Sequence, residues 1–121
     1  MMRGVRGATS VATNTKEDIG QAARTLVTKI MSLNSFRGDE ISAVIFSVTK
    51  DLTASFPTTG LRKLKGFRLV PLFDTQEPEV EGSLPMCMRV LILVDTDKEP
   101  QDICHVYLGE ARKLRPDLME K

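Results

Sequence analysis

A single histidine and two cysteines are all that this 121-residue chain offers in imidazole and thiol groups. Cys87 and Cys104 do not form a close-spaced pair, and His105 has no second histidine to share a metal with. No metal site is therefore expected, and the cysteines read as buried free thiols of a reducing compartment. No run approaches the ~20 apolar residues of a membrane span. The leading MMRGVRGAT also lacks the apolar centre of a secretion signal, so a cytoplasmic protein is expected. The formal net charge is only +1, which gives no bulk attraction to nucleic acid or to a membrane. Internal repeats and low-complexity tracts are missing, and so are the phosphate-cradling patterns GxxxxGK(S/T) and GxGxxG. A Ser/His/Asp or Cys/His set would have to use His105. Its neighbour Cys104 would point to the opposite face of an extended strand. No cofactor is implied.

What is present is a globular composition, 41% hydrophobic and 27% charged, expected to form one domain over residues 1–121. Met1 to Thr9 reads as a strand in which Gly4 and Gly7 leave room for a close neighbour. Thr15 is a candidate N-cap, with acids in the first turn. The stripe Ile19, Ala22, Ala23, Leu26, Val27 and Ile30 then predicts a helix to about Leu33. Lys16, Gln21, Arg24 and Lys29 form its solvated side. Ile41 to Val48 reads as an interior strand. Pro57 suits the start of a two-turn helix carrying Leu61 and Leu64 and ending at Gly66. Phe67 to Phe73 reads as a third strand, placed at an edge or bulge by Pro71, and Met86 to Val94 as a fourth. Over Ile103 to Leu114 the periodicity fits both a strand and a helix and favours a helix, stopped at Arg115-Pro116. This order argues for an α+β domain, a mixed sheet covered on one face by the long helix. Such small sheets often hide their other face in a subunit interface.

The stretch from Asp74 to Val94 carries the chemical question. Arg89 is the one charge in an apolar strand, and a guanidinium keeps its proton in a protein. It needs an anionic partner, either a carboxylate of the preceding loop (Asp74, Glu77, Glu79, Glu81) or an anionic ligand. Asp74 and Glu77 could instead form an acid/base pair, which spacing does not distinguish from loop acids paired with arginines. With Arg6, Arg62, Arg115 and the neutral donor Tyr107, the inventory suits a small dicarboxylate, whose anionic groups match the arginine fork.

These residues also carry a resemblance. RGVRGAT at the start, DLTASFP, VPL followed by QE, GSLP before MRVL, and HVYL followed by LRPDL resemble the monofunctional AroH-class chorismate mutases, in register over essentially the whole chain. The resemblance implies a mixed five-stranded sheet with one long and one short helix. Three subunits would form a trimeric pseudo-α/β-barrel with sites at their interfaces, and the segment around Tyr107 would be a strand. It implies conversion of chorismate to prephenate by an intramolecular pericyclic rearrangement, with no nucleophile and no proton transfer. In that scheme Arg89 donates to the ether oxygen, Arg6 and Tyr107 bind a carboxylate, and Glu77 accepts from the ring hydroxyl. Phe56, Arg62, Phe73, Asp74, Leu114 and Arg115 line or close the pocket.

Two positions depart from the family. Asp74 stands where a familiar member has cysteine near the substrate hydroxyl. A carboxylate there could accept that hydrogen bond or repel a dianion, so contact is expected from its backbone rather than its side chain. Thr59 stands where some members have a lysine at the pocket entrance, so electrostatic guidance there is expected to be weaker. Two other classes compete: a trimeric module that binds a carboxylate without turning it over, and an imine deaminase of the Rid type, against which the RG-x-RGAT start and LRPDL end speak.

Overall fold

A computed structural model describes residues 1–114. Five strands, β1 (Met2–Ser10), β2 (Ile41–Val48), β3 (Leu72–Gln76), β4 (Cys87–Asp95) and β5 (Val106–Leu108), form one sheet in the order β3-β2-β4-β1-β5. β4 runs antiparallel to β1 and β2, whereas β3 and β5 lie parallel to their neighbours. The sheet is thus mixed, as expected. The helix α1 (Lys16–Asn34) covers one face. Its stripe becomes the core, with Ile19, Leu26, Val27 and Ile30 fully buried together with Val5, Val44, Phe46, Met88, Ile92 and Val94. The Thr15 hydroxyl accepts from the Asp18 N–H, as an N-cap does, and Ser35 closes the helix in the left-handed conformation (φ 56°).

Gly7 shows why the first strand carries glycine. A Cβ there would lie 2.8 Å from Ile30 Cδ1 and 3.1 Å from the Val106 carbonyl. The helix and β5 therefore pack directly onto the backbone of β1.

Three expected elements differ. The two-turn helix ending at Gly66 is a five-residue 3-10 segment, Pro57–Leu61, followed by turns in which Leu64 and Phe67 donate back three residues. Gly60, a poor helix former, sits with its backbone against that of Gly20 in α1. The third strand starts at Leu72 rather than Phe67. Phe67 is buried in a turn, and the ladder opens where the Pro71 carbonyl accepts from Val44. Pairing with β2 then extends the strand through polar Asp74–Gln76, of which only Thr75 favours a strand by itself.

The last segment is β5 and then a 3-10 turn, Gly109–Lys113, in agreement with the family resemblance and not with the helical period. The buried Asn34 amide explains it. It accepts from the Cys104 N–H at 2.8 Å and donates to the Cys104 carbonyl at 2.9 Å, which holds the chain extended where it enters β5.

Candidate active site

Strand alternation sends Arg6, Ala8, Arg89, Leu91 and Tyr107 to the face away from α1. The register aligns them. Ser47, Arg89, Ala8 and Tyr107 form one row across β2, β4, β1 and β5, while Phe73, Ile45, Leu91 and Arg6 form the next. Arg6, Arg89 and Tyr107 share a cavity of about 260 Å³ floored by Ala8, Ile45, Ser47 and Leu91. Burial of Arg89 on both sides of its strand, implied by the apolar run, is not what the chain adopts. Its side chain is 45% exposed on the face that α1 leaves open.

Glu77 resolves the choice of partner for Arg89. Its N–H donates to the Val48 carbonyl, one residue beyond β3, so alternation points its side chain to the Arg89 face. Oε1 lies 2.6 Å from Arg89 Nε, and the carboxylate is 11% exposed. That oxygen is buried yet makes no aligned hydrogen bond among the described residues. The pair is an ion contact off the N–H axis, and it leaves acceptor capacity on Oε1 unused among the described residues.

The loop between Glu77 and β4 is held by a residue that sequence reasoning missed. The Asp51 carboxylate accepts from the Thr49 hydroxyl and from the Met86 N–H, at 3.2 and 3.0 Å to its two oxygens. Thr49 in turn accepts from the Cys87 N–H at 3.0 Å. Met86 adopts φ 50°, a strained conformation for a side chain with a Cβ, and the carboxylate clamps it there. The Thr49 hydroxyl holds the Asp51 carboxyl below its usual range. A Thr-x-Asp spacing signals only a local turn; its partner 35 residues away is not legible.

Arg6 is fixed from its backbone, which donates to His105 Nδ1 at 3.0 Å. Ala8 and Tyr107 of that row join Cys87 and Ala111 in a small apolar cluster, with Leu84 and Leu114 packed against it. Burial pushes the Cys87 thiol up to about 11, Glu77 adding to the effect and Arg89 opposing it. At pH 8 it is expected to resist iodoacetamide in the native protein and to react on unfolding, read by mass spectrometry. Native labelling within minutes would contradict this packing.

The other expected site residues lie elsewhere. Phe56, Thr59 and Asp74 line a separate cavity of about 600 Å³ beside β3. Phe73 is 62% exposed on the open face. Arg62 is exposed just after the 3-10 segment, and Arg115 falls outside the described residues. The expected site residues thus fall in two cavities: Arg6, Arg89 and Tyr107 in one, Phe56, Thr59 and Asp74 in the other.

An α+β sheet covered on one side by a helix, with Arg6 and Arg89 on its bare face, presents a surface whose chemistry suits an anion. The chain belongs to the type I chorismate mutase family, whose model, described as Chorismate mutase type I, matches residues 2–118, and it is accordingly an isomerase. It is 47% identical to the chorismate mutase AroH of Thermus thermophilus, over 98% of this chain and 97% of that one. It is 42% identical to the AroH of Bacillus subtilis (strain 168), over 98% and 93%. Among solved structures, a chorismate mutase from Clostridium thermocellum superposes with a TM-score of 0.88 at 39% identity, covering 92% of this chain and 98% of that one.

Proposed function

We propose that this protein converts chorismate to prephenate by a Claisen rearrangement, a step of phenylalanine and tyrosine biosynthesis. It would do so in the cytoplasm, as a homotrimer with its sites between subunits. The observation that carries the reading is Arg89 on the open sheet face, in the same row as Tyr107, one row from Arg6 and touching Glu77.

The reaction breaks an ether C–O bond and forms a C–C bond within one molecule, so it needs no nucleophile and no proton donor. The protein's task is to hold the compact conformer and to stabilise the charge separation of the transition state. Arg89 meets the ether oxygen as it becomes negative. Arg6 and Tyr107 bind a carboxylate. Glu77 uses its free acceptor capacity for the ring hydroxyl and faces the electron-poor ring.

Such electrostatic help is strong only where water is excluded, and one chain leaves nearly half of Arg89 exposed. Covering the apolar residues Ile45, Leu91 and Leu93 with a second subunit dries the cavity. It also brings a neighbour's Phe56 wall to the arginine row, which accounts for the two cavities in one chain. The 3-10 turn Gly109–Lys113 leads to Leu114, which packs against the cluster of Ala8 and Tyr107.

The test is the loss of chorismate's ultraviolet absorbance on adding the purified protein, with sedimentation to count subunits. Glu77→Gln is expected to lower kcat about 10²-fold, as loss of one well-placed charged group commonly does, while raising KM far less. Equal losses in turnover and in binding would instead favour a module that binds chorismate without converting it.

A further inference from the structure

Asp74 is one of the two positions at which this chain departs from the resemblance, and the structure shows what its carboxylate holds. Thr58 donates to it twice, from its backbone N–H at 3.2 Å and from its hydroxyl at 2.6 Å. Thr58 is only 4% exposed. Both bonds have a local reason. The 3-10 segment begins Pro57-Thr58, so its first position has no N–H, and the N–H of Thr58 is an orphan donor that needs an acceptor from elsewhere. A buried threonine hydroxyl likewise needs a partner.

The direction of the side chain matters as much. Asp74 pairs with Phe46, and the two share the sheet face turned toward α1, whereas Phe73, Thr75 and Glu77 point to the arginine face. The parallel ladder runs through the peptides of Pro71 and Glu77. Its alternation therefore sends the Asp74 N–H and carbonyl to the outer side of the edge strand, away from β2. Backbone and side chain are thus separated: the peptide lies at the sheet edge beside Phe56, while the charge is spent on Thr58.

We infer that Asp74 is a positioning residue and not a substrate ligand: through Thr58 its carboxylate pins the segment Phe56–Leu61 to β3 and so sets the wall that Phe56 presents to the substrate. The arrangement also removes the objection that an extra carboxylate would repel a dianion, because its charge faces two donors on the other side of the sheet. The inference rests on the chorismate reading for its substrate, but its geometry can be tested without turnover.

The decisive comparison is Thr58→Val, which keeps the shape and loses the hydroxyl, against Thr58→Ser, which keeps the hydroxyl. Thr58→Val is expected to raise KM for chorismate about tenfold with kcat changed less than about twofold, the pattern of lost uniform binding. Thr58→Ser is expected to stay close to the parent protein. Asp74→Ala, which removes both bonds, should be at least as impaired as Thr58→Val, and the double variant should be no worse than Asp74→Ala alone, because it removes no further interaction. Hydrogen exchange over residues 56–61 should quicken in Thr58→Val and not in Thr58→Ser. Unaltered exchange in Thr58→Val, or losses that multiply in the double variant, would overturn the inference and put the carboxylate on the substrate or elsewhere. A parent protein that leaves chorismate unchanged while the exchange pattern holds would sink the proposed reaction and leave the Asp74–Thr58 latch standing.

Discussion

Replacing Arg89 with alanine is expected to slow chorismate loss by at least about 10²–10³, the usual effect of deleting one well-placed donor to a developing oxyanion. The register leaves no substitute. Ser47 and Ala8 are the residues paired with Arg89 on either side, and neither bears a charge. Arg6 belongs to the next row of the sheet, two residues away along β1, and in the proposed scheme binds a carboxylate. Lysine is not expected to rescue the variant, since it presents a point charge on a flexible stem in place of a rigid fork. The loss should fall mainly on kcat, because the interaction strengthens only as the ether bond breaks. Arg89→Ala also strips Glu77, only 11% exposed, of its counter-charge, so its thermal unfolding should be measured alongside. A near-normal rate in a folded Arg89→Ala protein would end the proposed mechanism.

Gly60→Ala is expected to be strongly destabilising, because the added methyl meets backbone rather than a movable side chain. A Cβ at Gly60 would lie 2.7 Å from the Gly20 carbonyl oxygen and 2.8 Å from the Gly20 Cα. Both are backbone atoms of α1, so no rotamer change relieves the overlap. The helix and the 3-10 segment must separate, and with them the bond from Arg24 Nη1 to the Gly60 carbonyl at 3.3 Å. Overpacking of this kind costs about 2 kcal/mol, a fall of roughly 5–10 °C in Tm for a chain of this size. The displaced segment carries Phe56, so KM should rise as well. An unchanged Tm would mean that α1 does not seat this segment.

The sequence was most legible where one neighbour or one period decides the outcome. The Ile19-to-Ile30 stripe predicts α1 and its buried face, Thr15 marks the first turn, and Ile41 to Val48 matches β2 at both ends. It was least legible where a distant group overrides local preference. Over Ile103 to Leu114 a helical period is overruled by Asn34, a side chain 70 positions away. At the third strand, pairing with β2 recruits Asp74–Gln76, of which only Thr75 has β propensity of its own, and leaves Phe67 in a turn.

The candidate site divides in the same way. Arg6, Glu77, Arg89 and Tyr107 could be named from the chain as one set because family motifs carry them. Their convergence depends on strand register, which a one-residue slip would reverse. Asp51 and Thr58 escaped notice for a physical reason: each acts through a hydrogen bond to a partner in another element, and a polar residue in a loop has no periodicity to betray it.

By itself the sequence determined the class of fold, the long helix and its core face, the lack of any nucleophile-and-base set, and the need of Arg89 for an anion. These follow from residue type and short-range spacing. Only the tertiary structure decided that Glu77 is that anion's source within the chain and that Arg89 stands on the uncovered face. It also decided that Asp74 spends its charge on Thr58. Each of these turns on which strand lies beside which and in what register, a matter of long-range packing that no local pattern encodes.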